Sequence, residues 1–307
     1  MLFIWLAILL VFAIGADYVI SKGLRTSNLR KYAVWNDILN SNVDADLLIL
    51  GSSETWCGYD PHVFDSELNC NSYNFGVIGH LFKYVFLRYE TYQKYCPKPK
   101  AILLNLAYVD AFGGEETQYE REQFFPFFYD RAFVKELMPI VHFSLMERCL
   151  PFYRYFGFRK EIESGVGSFF GKKFFVDVVY KGYMGYEETW SPGSLYMDTI
   201  FEAPVDPEIV DKLNAFIRDR KEEGIKIAIV DFPDYYALMD KFSNSREINS
   251  MFLDFANKND VPFIDFTKSE LTYDSMCYYN PSHLNRKGAK RLSLMACQKI
   301  DSLELLK

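Results

Sequence analysis

The chain has 307 residues and a net charge of −7, long enough to bury a full core and expected to form one domain with an insertion. No basic face offsets the acidic balance, which argues against a nucleic-acid partner. Aromatic residues make up 18% of the chain; core packing accounts for most of them, and carbohydrate or lipid contact is the other use of such rings.

Leu2 to Ile14 is uninterrupted apolar sequence, broken by Gly15-Ala16-Asp17. Roughly 20 apolar residues span a bilayer, so this run alone is short. Continuing through Tyr18-Val19-Ile20 gives a spanning helix with Asp17 near the interface. Residues 1–22 are therefore expected to form an uncleaved membrane anchor; a secretory h-region and a buried core helix are the rival readings. Lys22, Arg25, Arg30 and Lys31 follow the run and no basic residue precedes it. By the positive-inside rule that places the main domain in the cytoplasm, and charge alone leaves the sidedness open.

Asp46 to Leu50 reads as a strand buried on both faces and runs into Gly51-Ser52-Ser53. Asn71 to Phe75 is a weaker strand before Gly76-Val77-Ile78-Gly79, and His80 to Tyr95 reads as a helix stopped by Pro97 and Pro99. Ala101 to Ala107 is another buried strand. Asp206-Pro207 opens a helix that carries Ile209, Leu213 and Phe216 at helical spacing and ends at Gly224. Ile225–Val230 and Val261–Asp265 are strands on either side of a helix at Asn249–Asn257. Asn285 caps a closing helix with Ala289, Leu292, Ala296 and Ile300 on one face. The alternation implies an α/β domain, residues 23–307, with a doubly wound parallel sheet. Ligands of such sheets bind beyond the carboxyl ends of the strands. Ser53, Gly79, Tyr108–Asp110, Pro233 and the His283 loop all follow strand ends.

Residues 111–205 break the alternation. Their aromatic clusters (Gln123–Tyr129, Pro151–Phe156, Lys181–Tyr186) read as a helical insertion over the active-site edge, or as a subdomain with its own aromatic core. The six cysteines (57, 70, 96, 149, 277 and 297) show no metal-site spacing. Buried free thiols are expected, with a Cys57–Cys70 bridge as the alternative in an oxidising compartment. No metal or cofactor is called for.

A serine hydroxyl needs a base within hydrogen-bond reach to act as a nucleophile. Alone, a Gly-Ser-Ser turn after a strand is weak evidence, and ordinary turn chemistry or a helix cap is the better reading of it. Of the four histidines, His283 lies in the loop before the last helix, flanked by polar residues. His62 is expected at the surface, His80 at a helix start, and His142 as a structural residue of the insertion.

Taken together, these segments resemble the SGNH (GDSL-like) hydrolase superfamily. Leu50-Gly51-Ser52-Ser53 is similar to its first block, with Ser52 in the aspartate's place; Asn74-Phe75-Gly76-Val77-Ile78-Gly79 is similar to its second; Asn280-Pro281-Ser282-His283 is similar to its Asp-x-x-His block. The Gly-Ser-Ser variant and the continuation His283 to Gly288 resemble bacterial membrane-anchored members linked to cell-surface glycan acylation. The resemblance covers roughly residues 44–110 and 206–300 and implies a doubly wound sheet of the flavodoxin-like kind. It implies Ser53 as nucleophile, His283 as base, and the Ser53 and Gly79 amides as oxyanion donors. It further implies a glycan or acylated saccharide as substrate, an acyl-donor membrane protein as partner, and an extracytoplasmic catalytic domain.

Two departures stand out. The third family block offers an asparagine side chain to the oxyanion hole, whereas here only Asn105, inside a strand, is near that place. Asn280 occupies the position of the triad aspartate, so it can orient the imidazole but brings no charge. Asp274 and Asp110 are the candidate replacements. The expected function is a serine esterase or O-acyltransferase acting on a surface polysaccharide; the alternative is a catalytically impaired glycan-binding or scaffold protein on the same fold.

Overall fold

A computed structural model describes residues 1–79, 82–106, 119–191 and 200–307. Helices span Leu2–Leu24 (α1), Arg30–Leu39 (α2), Ser53–Gly58 (α3), Pro61–Leu68 (α4), Phe82–Tyr95 (α5), Arg131–Leu137 (α6), Leu145–Cys149 (α7), Arg159–Phe169 (α8), Pro207–Glu222 (α9), Tyr236–Met239 (α10), Ser245–Asn259 (α11) and Arg286–Ser302 (α12). Strands span Leu47–Leu50 (β1), Ser72–Asn74 (β2), Ala101–Leu106 (β3), Lys226–Asp231 (β4), Phe263–Asp265 (β5), Tyr278–Asn280 (β6) and His283–Leu284 (β7). The expected strands recur with ends moved by one or two residues. The six-residue helix α3 was not anticipated, because its first turn reads as an ordinary loop.

By contacts the chain divides into two compact units: Met1–Asn40 with Gln118–Val179, and Ser41–Thr117 with Tyr180–Lys307. The boundaries expected from the sequence ran differently, at residue 22 and around 111–205.

The second unit is α/β. Its five-stranded sheet has the order β2-β1-β3-β4-β5, and every ladder in it is parallel. Parallel strands need helical cover on both faces, and β1 is accordingly buried at every residue. Leu47, Ile49, Leu103, Val230 and Ile264 share one core with Leu292, Ala296 and Ile300 of α12. Burying side chains of this size is worth about 1.5–3 kcal/mol each before the entropy of ordering them. The helix ends follow their sequence signals. Asp206 accepts from Glu208 N–H with Pro207 at the first position of α9, and Asn285 accepts from Gly288 N–H at 3.1 Å to cap α12.

The first unit is helical and aromatic. Leu2–Leu24 is long and apolar enough to cross a membrane, and its surface is mostly exposed up to Ala16. From Asp17 onward the helix enters the folded unit. There Ile20, Leu24, Leu29, Tyr32, Phe125 and Tyr155 form one core. Trp35 meets Phe124 and Phe133 edge-on at 5.4 and 5.5 Å, and its Nε1 donates to Gln123 Oε1 at 2.8 Å. A Cβ on Gly23 would lie 1.8 Å from the Gly165 carbonyl oxygen, so the close crossing of α1 and α8 requires glycine. Much of the expected insertion thus has an aromatic core of its own, shared with residues that precede β1.

Asp17 is fully buried and ion-paired to Arg154 Nη2. Its carboxylate also accepts from the Tyr129 hydroxyl, from Phe152 N–H at 2.7 Å and from Ser21 Oγ at 3.4 Å. A buried carboxylate is tolerated only when paired and hydrogen-bonded in this way.

Candidate active site

Gly51 lies at the carboxyl end of β1 with φ +156°, and a Cβ there would stand 2.1 Å from Thr55 Oγ1. Glycine therefore lets the chain turn straight into α3, whose first residue is Ser53. As a first-turn residue, Ser53 has an N–H without an intrahelical acceptor. The segment Asn74–Val77 is tied to this turn: Val77 N–H donates to Gly51 O at 3.0 Å, and Gly76 N–H donates to Asn74 Oδ1 at 2.8 Å. The buried Arg88 guanidinium donates to the Phe75 and Gly76 carbonyls at 3.3 and 2.7 Å, and burial pulls its pKa down to about 10. Gly79 ends the loop, exposed and with φ +67°.

The structure brings Ser53, His283 and Asn280 together across the length of the chain. Ser53 Oγ lies 2.7 Å from His283 Nε2. His283 Nδ1 lies 2.9 Å from Asn280 Oδ1 and 2.8 Å from Ser282 Oγ. Ser282 N–H donates to the same Asn280 oxygen at 3.0 Å, an Asx turn that pins the amide with its oxygen toward the ring. An amide flip would face two donors toward each other, so Nδ1 carries the proton and donates to Asn280. Nε2 is then the acceptor for the Ser53 hydroxyl. Burial pulls the imidazole below its ordinary value of 6.5, while Glu54 acts in the opposite direction. The neutral ring that a proton acceptor requires is thereby favoured.

Among the described residues, a carboxylate beside the pair is that of Glu54, which the sequence reading missed. It is 1% exposed, accepts a short hydrogen bond from Ser52 Oγ, and lies 3.4 Å from Ser53 Oγ. An acidic residue in a first helical turn is common on dipole grounds, so only its burial marks it. Asp274, a candidate from the sequence, does not fill this role. Its side chain caps Met276 N–H at 3.1 Å, pairs with Arg291 at 2.7 Å and reaches Lys287 at 3.8 Å; none of these partners is His283. Asp110 and His80 lie outside the described residues.

Asn105 serves the core: Tyr59 donates to its Oδ1 at 2.7 Å. On β4, opposite Leu106, Asp231 is buried, and burial with the nearby Asp265 holds its carboxyl well above the usual carboxylate range. His62 is surface-exposed, bonded to Asp60 at 3.0 Å and stacked on Tyr180 at 3.5 Å. His142 is exposed, in the first unit. All six cysteines are free, with 57, 277 and 297 buried, so no Cys57–Cys70 bridge forms. Among the described residues, no three His, Cys, Asp or Glu side chains gather as metal ligands.

Residues 180–191 of the expected insertion belong to this unit and pack on the site loop. Arg286 N–H donates to Tyr186 O at 2.7 Å and Trp190 N–H to Tyr278 O at 2.8 Å. Their rings extend an aromatic row: Trp56 to Tyr186 at 5.6 Å, Tyr186 to Tyr279 at 4.2 Å, and Tyr279 to His283 at 5.4 Å. Together these groups can move a proton from a serine hydroxyl to an imidazole beside a buried carboxyl group. No protein-family model matches the chain, and no curated protein matches it.

Proposed function

We propose that the chain is an SGNH-type serine esterase or O-acyltransferase acting on a cell-surface polysaccharide. The observation that carries the reading is the 2.7 Å contact of Ser53 Oγ with His283 Nε2, with the ring held in the required tautomer by Asn280. The strand order β2-β1-β3-β4-β5, that of flavodoxin-like sheets, supports the fold resemblance. Ser53 attacks the acyl carbonyl and His283 takes its proton, returning it to the departing alcohol. The N–H groups of Ser53 and Gly79 stabilise the oxyanion. Glu54 supplies the negative charge that Asn280 lacks, from the serine side of the ring, and stabilises the imidazolium formed on proton transfer. Water as acceptor gives deacylation, and a sugar hydroxyl gives transfer. In this reading α1 anchors the protein, the α/β unit is extracytoplasmic, and a membrane acyl donor supplies the transferred group.

A fluorophosphonate probe is expected to label the wild-type protein and to leave Ser53→Ala unlabelled. Labelling that persists in the variant overturns the assignment. Asn280 favours a second reading, a non-catalytic glycan-binding protein. Polysaccharide binding that survives Ser53→Ala, in a wild-type protein that takes no probe, selects it.

Glu54→Gln checks the role given to the buried acid. Loss of its charge is expected to lower kcat about tenfold, equivalent to ~1.4 kcal/mol. Because the neutral ring is the active form, the rate rises with pH through the His283 pKa. Glu54 raises that pKa, so its removal moves the acid limb of the kcat/KM profile to lower pH. A slower variant with an unmoved limb leaves Glu54 a purely structural part.

A further inference from the structure

The bonds that hold Asp17 bring exposed tyrosines to one level of α1. Asp17 is the first fully buried residue along the helix, after the outward-facing apolar surface of Leu2–Ala16. Tyr18, one position on, is 53% exposed. Tyr129 is 51% exposed, yet its hydroxyl reaches the Asp17 carboxylate. Phe152 N–H donates to that carboxylate, and the segment it opens exposes Tyr153 and Phe156, the latter at 78%. Tyr129 and the Phe152 amide thus meet the helix at the residue next to Tyr18. Lys22 is exposed one turn further along.

Tyrosine concentrates where hydrocarbon meets headgroups, because its ring is apolar and its hydroxyl wet. Lysine near such a boundary extends its ammonium toward phosphate. We infer that Tyr18, Tyr129, Tyr153 and Phe156 form an interfacial belt that seats the first unit on a lipid bilayer at the headgroup level. Lipid is the occupant because Tyr18 lies on α1 itself, directly after an exposed flank apolar enough to lie in a membrane, and Tyr129 and the segment opened by Phe152 are bonded to Asp17 at that level. Asp17 and Arg154 are buried behind the belt, so a charged pair can sit at this depth without facing hydrocarbon. The inference rests on α1 entering the bilayer and is independent of the chemistry assigned to Ser53.

The test uses the full-length protein reconstituted into phosphatidylcholine vesicles that contain phosphatidylglycerol. A photoreactive benzoylphenylalanine is placed at position 153, at position 156 or, as reference, at position 8. All three native side chains are exposed, so the fold tolerates the exchange. Lipid adducts at 153 and 156 are expected at levels comparable with those at 8. Adducts at 8 alone overturn the belt while leaving the helix in the bilayer. Adducts at none of the three overturn the membrane seat itself. A protein adduct at 156 in place of lipid also defeats the inference, since it assigns the surface to a protein partner.

Discussion

Asn280→Asp is expected to raise ester turnover about tenfold to thirtyfold and to move the acid limb of the rate profile to higher pH. A serine protease that exchanges its triad aspartate for asparagine loses roughly ten-thousand-fold, chiefly because the ring adopts the wrong tautomer. That loss is not at stake here, because Ser282 N–H pins the Asn280 oxygen toward Nδ1 and the tautomer is already correct. What asparagine lacks is charge. A hydrogen bond to a charged group contributes about 1.5–3 kcal/mol against 0.5–1.5 for a neutral one, and a difference near 1.4 kcal/mol is tenfold in rate. The added carboxylate favours imidazolium, so the His283 pKa rises and more alkaline solution is needed to reach the active neutral ring. The limb thus moves oppositely to that of Glu54→Gln. Measured kcat/KM against pH on a soluble acetyl ester decides the matter; a lower rate, or a limb moved toward acid, contradicts the site as described.

The second large effect is on stability. Breaking a buried ion pair by removing one partner costs about 3–5 kcal/mol, because the other charge is left uncompensated. Arg154→Leu leaves the Asp17 carboxylate, fully buried, with only neutral donors. Such a loss is a large share of the 5–15 kcal/mol that holds an ordinary protein folded. The backbone amides of α2 and α8, whose packing depends on α1, are expected to exchange with deuterium orders of magnitude faster in detergent-solubilised protein. Joint replacement, Asp17→Leu with Arg154→Met, removes both charges and is expected to restore protection most of the way. Unchanged exchange in Arg154→Leu means the pair does not hold the unit together.

Much of the second unit was legible in the sequence. Its strands are short apolar runs bounded by Gly, Pro and Asn, and a parallel sheet sends the residues that follow such runs to one edge. Ser53 and His283 were found by that logic and by the polar loop around His283. Glu54 was not, since its sequence signal is that of any acid in a first helical turn and its meaning lies in being buried. Asp274 misled for the converse reason: it is close to His283 along the chain but turns toward Arg291. The insertion was drawn as one block because residues 180–191 attach through backbone bonds, such as Asn74 N–H to Lys181 O at 2.9 Å, which leave no periodic pattern. The pairing of Trp35 with Phe124 and Phe133 is likewise set by contacts far apart in sequence, which composition cannot encode.

The discontinuity of the first unit has a consequence for the order of events during synthesis. Asp17 and Arg154 are separated by 137 positions, so at 5–20 residues per second the arginine emerges roughly 7–27 s after the acid. For that interval the Asp17 carboxylate has no counter-charge, and α1 lacks the ion pair that ties it to the segment around Arg154. The second unit's first strands are made inside the same interval. Translation speed between Asp17 and Arg154 is therefore a variable that sets how long the nascent helix remains unlatched.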